Sequence, residues 1–109
     1  MKLQLPSPIA AYFEADRSRS ADAVAACFRD DAVVKDERKV HAGREAIRRW
    51  KAEASTAFSY TVEPFAIARD PGRTVVTSHV VGDFPGSPID LRYLFVLDGD
   101  RIAELEIVP

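Results

Sequence analysis

From residue 59 to the end of the chain, apolar and polar residues alternate in four runs separated by short turn motifs. The separators are DPG at 70–72, FPGSP at 84–88 and DGD at 98–100. Glycine permits a positive φ in each of them, and proline fixes φ in the first two. Alternation is typical of strands, and turns this short join antiparallel neighbours. We therefore expect strands at 59–69, 73–81, 89–97 and 101–108, with Pro64 marking an edge strand or a bulge.

The first half of the chain has the periodicity of helices, interrupted by one strand. Apolar residues recur at helical spacing after Ser7, after Ser20 and after Gly43. AVVKD at 32–36 alternates like a strand, and ERKVHA at 37–42 is interpreted as a polar connector. The predicted order is α-α-β-α-β-β-β-β. This is one α+β domain over residues 1–109, with three helices packed on a curved, mostly antiparallel sheet.

Composition limits the partners that this domain can have. The net charge is −2, which provides no overall attraction to nucleic acid or to a membrane surface. No apolar run is long enough to span a bilayer, and MKLQLPSP lacks the apolar centre of a secretory signal. Cys27 is the single cysteine, so no internal disulfide can form. These observations lead us to expect a cytoplasmic protein.

The third predicted helix carries an apolar stripe of Ala46, Ile47, Trp50 and Ala54. The basic residues of REAIRRWK, Lys51 included, are expected mostly off that stripe. Acidic residues interleave with them, which favours a solvated helix face over a nucleic-acid interface.

The segment FRDDAVVKD followed by GREAI, and the tail from FPGSP through LRYLFVLDGDRIAELEI, resemble the SnoaL-like branch of the nuclear transport factor 2-like superfamily. Ketosteroid isomerase and the polyketide cyclase SnoaL are other members. The resemblance implies a cone-shaped fold with an apolar pocket between the helices and the sheet. It also implies a homodimer formed through the outer face of the sheet, an expectation that the apolar residues on both faces of IDLRYLFVL support.

The same resemblance suggests roles for three residues. Asp36 matches the catalytic aspartate of ketosteroid isomerase, Tyr12 matches its oxyanion-binding tyrosine, and Tyr93 replaces a late-strand aspartate. A carboxylate in an apolar pocket resists ionisation, which suits a general base, and a phenol can stabilise an enolate oxygen. The alternatives are that Asp36 lies at the rim and pairs with Arg38 or Lys39, and that Tyr12 is a core residue.

His41 and His79 are the two histidines, and either can exchange protons near neutral pH. If His79 points inward, it can pair with Asp36 or Asp90; otherwise it is a surface or partner-face residue. No HxH or HxxE spacing is present, so we expect neither a metal site nor another cofactor.

Two functions are compatible with these patterns. The first is a cofactor-independent isomerase, cyclase or dehydratase that acts on a hydrophobic small molecule, with Asp36 as base, Tyr12 or Tyr93 as oxyanion donor, and His41 or His79 as a second acid–base group. The second is a non-catalytic ligand-binding or dimerisation module. In either case, helix and strand phase predicts the same pocket lining: Phe28, Val34, Ile47, Trp50, Leu91, Phe95, Leu105 and Ile107.

Overall fold

The computed structural model describes residues 3–109; Met1 and Lys2, the first residues of the MKLQLPSP segment in which no secretory signal is expected, lie outside it. The helices are α1 (Ser7–Arg17), α2 (Ala21–Ala26) and α3 (Arg44–Ala57). The strands are β1 (Phe28–Asp36), β2 (Lys39–Ala42), β3 (Tyr60–Asp70), β4 (Arg73–Gly82), β5 (Ile89–Asp98) and β6 (Arg101–Val108).

The strands form one sheet in the order β2-β1-β6-β5-β4-β3. The β1–β6 pair is parallel and the other pairs are antiparallel, which confirms the predicted α+β class and the mostly antiparallel sheet. β3 lies at one edge, and its register shifts between Pro64 and Ala66. A proline at this position has no N–H to donate to a ladder, so the edge and the bulge accommodate it.

The segment interpreted as a polar connector instead contains a strand. β2 pairs antiparallel with β1, from Asp36 opposite Lys39 to Val33 opposite Ala42. The two residues between them, Glu37 and Arg38, have φ values of 52° and 65°. Positive φ at both central positions is characteristic of a type I′ hairpin turn, which normally contains asparagine or glycine. The hairpin was therefore not predicted, because Glu37 and Arg38 are not the residue types that normally form this turn.

The core lies between the helices and the inner face of the sheet. Ser20 caps α2 by accepting a hydrogen bond from the Ala23 N–H at 3.1 Å, and α1 and α3 pack their apolar residues on the strands. Tyr12 and Phe13 of α1 make edge-to-face contacts with Phe95 of β5. The fully buried large side chains of this core include Ile9, Tyr12, Val24, Phe28, Val34, Ile47, Val76, Phe95, Ile102 and Leu105.

We predict that Arg38→Gly stabilises the protein by up to about 1 kcal/mol, because left-handed backbone is strained for a residue with a Cβ. Arg38 is exposed and forms no side-chain hydrogen bond or ion pair within residues 3–109. The matched control is Lys39→Gly in the adjoining strand, where glycine should destabilise by about 0.5–1 kcal/mol. Urea unfolding of both variants measures the two changes, and a loss of stability in Arg38→Gly would contradict the turn geometry.

Candidate functional site

A cavity of about 420 Å³ opens between α3 and the inner face of the sheet. This volume lies within the range of small-molecule sites, and apolar walls with a few convergent polar groups are typical of them. The end of β1, the second half of α3, the start of β3 and the loop between β4 and β5 all contribute. The lining residues are Asp36, Glu37, Trp50, Lys51, Ala54, Phe58, Tyr60, Val80, Phe84, Pro85, Leu91, Tyr93 and Ile107.

Asp36 occupies the last position of β1, on the cavity wall. Its Oδ2 accepts a hydrogen bond of 3.0 Å from the indole Nε1 of Trp50. Within residues 3–109, Oδ1 has no hydrogen-bond partner, and no ion pair joins Asp36 to Arg38 or Lys39. One carboxylate oxygen is thus fixed by α3, and the other remains available to a ligand.

Lys51 was expected mostly on the solvated side of α3, but this expectation was wrong. Its side chain is 5% exposed and lies on the cavity wall. Its Nζ lies 3.0 Å from Oδ1 of Asp16, whose side chain is 6% exposed, and donates a 3.3 Å hydrogen bond to the hydroxyl of Tyr12. Nζ also lies 4.3 Å from the centroid of the Trp50 ring, within cation–π distance. A buried ion pair therefore borders the cavity.

All three tyrosines of the chain surround this ion pair. Tyr12 accepts from Lys51, Tyr60 donates to Oδ1 of Asp16 at 3.3 Å, and Tyr93 lines the cavity. The pKa of each phenol is raised, first by burial and then by the negative charge of Asp16. The three phenols are therefore neutral in the folded protein at physiological pH. Tyr93 has no hydrogen-bond partner within residues 3–109 and can donate to a ligand, whereas the O–H of Tyr60 is already donated to Asp16.

The two histidines do not reach the cavity. His41 on β2 is not among the lining residues, and its ring centroid lies 5.9 Å from that of Trp50, which is. His79 lies on the outer face of β4, because its neighbours Ser78 and Val80 are buried on the inner face. His79 does pair with Asp90, at 2.7 Å between Nδ1 and Oδ1, but both side chains are more than half exposed.

The structure divides the other predicted site residues between cavity and core. Asp36, Tyr93, Trp50, Leu91 and Ile107 line the cavity. Tyr12 is fully buried beneath it and contacts it through Lys51. The remaining predicted lining residues point inward but are fully buried in the core rather than on the cavity wall: Phe28, Val34, Ile47, Phe95 and Leu105.

Lys51, Asp16 and Tyr60 were not predicted as site residues, although the sequence contains a signal for the ion pair. Lys51 follows Ile47 by four residues, and Asp16 follows Tyr12 by four. Residues four apart share one face of a helix, so each charge falls on the buried face of its helix. Opposite charges on two buried helix faces indicate a buried pair, because an unpaired buried charge is strongly unfavourable.

We predict that the folded protein forms no tyrosinate as pH rises through 10. A raised folded pKa means that the native state holds the phenolic protons more tightly than the unfolded chain, whose phenols titrate near 10.0. The resulting stabilisation is fully present below pH 10 and is lost as pH rises above it. Ultraviolet absorbance should show tyrosinate only with unfolding, which circular dichroism follows. Reversible ionisation near pH 10 in the folded state would contradict the buried network.

Within residues 3–109, no helix is long and apolar enough to cross a membrane, and no group of three or more His, Cys, Asp or Glu side chains is placed to hold a metal ion. A comparison with curated proteins finds no match.

Solved structures share this architecture. A candidate polyketide cyclase from Sinorhizobium meliloti is 43% identical, with a TM-score of 0.91 over 95% of each chain. A protein with a ketosteroid isomerase-like fold from Catenulispora acidiphila, in complex with trimethylamine, is 19% identical, with a TM-score of 0.85 over 97% of this chain and 87% of its own. SalBIII, an epoxide hydrolase/cyclase-like enzyme in pyran ring formation of salinomycin, is 22% identical, with a TM-score of 0.78 over 92% and 85%. The latter two similarities concern the fold alone.

The family comparison covers most of the chain. The model of the SnoaL-like domain matches residues 9–105, which include α2, α3, β1 to β5, most of β6 and every residue that lines the cavity except Ile107. The chain belongs to the SnoaL-like domain family.

Proposed function

We propose that this protein binds a hydrophobic small organic molecule in the cavity and acts on it as a cofactor-independent isomerase, cyclase or dehydratase, with Asp36 as the general base. The observation that carries the proposal is the state of the Asp36 carboxylate. Trp50 holds one oxygen at 3.0 Å, while the other oxygen is free within residues 3–109 and borders a largely apolar cavity. A base must be held in a fixed orientation and within reach of the proton that it removes.

The chemistry that suits this arrangement is the removal of a proton from carbon next to a carbonyl group. Asp36 takes the proton, the C–H bonding electrons move toward the carbonyl, and an enolate forms. The acid form of Asp36 then returns the proton to a different carbon of the same molecule, which completes an isomerisation. Alternatively, the enolate carbon attacks a second carbonyl carbon, whose C=O π electrons become an alkoxide, and the alkoxide takes the proton from Asp36 as the ring closes. Tyr93, a neutral phenol on the cavity wall, is suited to donate a hydrogen bond to a ligand oxygen. The 43% identical candidate polyketide cyclase supports this class of reaction.

The alternative function is a ligand-binding module without activity. Its support is the same Trp50–Asp36 hydrogen bond, because a bond that joins α3 to the end of β1 also stabilises the fold. The two functions share the cavity and differ only in proton transfer.

We predict that the protein accelerates exchange of the acidic C–H protons of 2-tetralone, a small aromatic ketone, for deuterium. Asp36→Asn should slow this exchange by about 10²–10⁴-fold, the usual contribution of a general base. The matched control is Asp90→Asn, which removes an exposed carboxylate on the outer face of the sheet and should leave the rate unchanged. Proton NMR measures the exchange, and the emission of Trp50, the single tryptophan, reports binding.

A rate no faster than that given by the same concentration of acetate would contradict the acid–base function. If Trp50 emission still responds to the ketone in that case, the binding-module alternative takes its place. If neither exchange nor emission responds, the cavity is not a site for this ligand class.

We further propose that the protein is a homodimer that pairs through the outer face of the sheet. α1 and α3 cover the inner face, whereas Leu94 and Val96 of β5 are only partly buried on the outer face and Val81 of β4 is exposed. An exposed apolar patch of this kind usually marks an association surface. The occupant that suits a self-complementary sheet face is a second copy of the chain.

Sedimentation at micromolar concentration should give about twice the 12.1 kDa mass of one chain. Leu94→Glu should produce monomers, because it places a charge in the interface opposite Glu106. The control is Val40→Glu on β2, which is 63% exposed at the far edge of the sheet and should leave the dimer intact. A wild-type monomer at this concentration would contradict the proposal.

A further inference from the structure

Lys51 presents a charged group at the cavity that the proposed mechanism has not used. Its side chain is 5% exposed, and it lines the cavity together with Asp36. A lysine ammonium has three N–H donors. Asp16 and Tyr12 accept from two of them, at 3.0 and 3.3 Å, and within residues 3–109 no third oxygen or nitrogen accepts from Nζ.

Stability does not explain why these charges are buried here. A buried ion pair is weak evidence of stabilisation, because desolvation of both ions offsets most of their attraction. Replacing a buried ion pair with well-packed apolar residues of similar volume is often neutral or stabilising. A pair retained at the wall of a cavity, with a donor left over, is suited instead to act on what the cavity holds.

We propose that Lys51 is the cation that binds the ligand oxygen on which negative charge develops, and that Asp16 and Tyr12 position it. This inference rests on the proposed function and names its substrate class: a neutral ketone or 1,3-dicarbonyl compound with an apolar body. The carbonyl oxygen accepts a hydrogen bond from the third N–H of Lys51, and the adjacent carbon faces Asp36. An ammonium hydrogen bond to an anionic oxygen is stronger than one from a neutral donor.

The charges around the cavity support a neutral ligand in the resting state. Asp16, Asp36 and Glu37 are acidic, Lys51 is the basic residue among the lining groups, and Tyr60 and Tyr93 are neutral. A ligand that arrives as an anion would be repelled by Asp36. When Asp36 accepts the proton, however, its own charge disappears as the charge appears on the ligand oxygen. The total charge of the site stays constant, and the new charge lies beside the ammonium, where preorganised donors are most effective.

This inference can be tested with 2-naphthol as the probe, because its ionised form carries a negative oxygen on an apolar ring system. Asp36→Asn serves as the background: it mimics the protonated base, and its amide oxygen can still accept from Trp50. In this background, bound probe should be more ionised than free probe at the same pH. Adding Lys51→Met should lower the ratio of bound naphtholate to bound naphthol at least tenfold. Fluorescence and absorbance distinguish the two forms of the probe.

The matched control is Lys35→Met in the same background, which removes a half-exposed lysine paired with Glu104 at 3.7 Å on the surface and should leave the ratio unchanged. Lys51→Met alone leaves Asp16 buried without its partner, which is expected to destabilise the fold strongly. The variant that also carries Asp16→Asn removes both charges together. Loss of Asp16 by itself would favour naphtholate, so a fall in the ratio in that variant is attributable to Lys51. Circular dichroism checks that each variant is folded.

An unchanged ratio with Lys51→Met, in either form, would overturn this inference while leaving the ligand cavity and the role of Asp36 intact. If 2-naphthol neither binds nor changes Trp50 emission in any folded variant, the ligand cavity itself fails, and the inference fails with it.

Discussion

Lys51 and Asp16 form an ion pair that is almost completely removed from solvent, and it joins α3 to α1. Such a pair tolerates little displacement, because separating the partners would leave a buried charge without compensation. Tyr60 extends the connection to the first residue of β3 through its hydrogen bond to Asp16. Two helices and the edge strand are thereby fixed relative to one another at the point where the cavity opens.

Trp50 connects this ion pair to the carboxylate of Asp36 on the cavity wall. It precedes Lys51 in α3, its ring lies 4.3 Å from the ammonium, and its indole N–H holds Asp36 at the end of β1. A cation and an anion are therefore placed around one cavity through two adjacent residues of a single helical turn. In the proposed reaction these two groups have complementary tasks, since Asp36 removes a proton and Lys51 stabilises the charge that remains.

The sequence predicted those parts of the structure that depend on short-range patterns. Alternation and the DPG, FPGSP and DGD motifs indicated four antiparallel strands, and β3, β4, β5 and β6 confirm them. The hairpin at Glu37 and Arg38 was missed because its positive φ values occur in residues that rarely adopt them. The alternation of the strands correctly indicates that Val34 and Phe95 point inward. It does not show whether an inward residue reaches the cavity wall or lies beneath it, and both of these residues are fully buried in the core.

Contacts between elements distant in sequence were the hardest to predict. Asp16 and Lys51 are 35 positions apart, so helix spacing places each charge on a buried face, but only the folded structure shows that the two charges meet. Alternation shows that His79 and its neighbours Ser78 and Val80 lie on opposite faces of β4, but it does not show which face points toward the helices.

The most direct measurement is a crystal structure of Asp36→Asn with 2-naphthol bound. We expect the naphthol oxygen within hydrogen-bond distance of Lys51 Nζ, and its rings against the apolar wall formed by Leu91 and Ile107. A probe bound in the cavity with its oxygen directed away from Lys51, or bound elsewhere on the protein, would contradict the proposal that this ion pair is part of an active site.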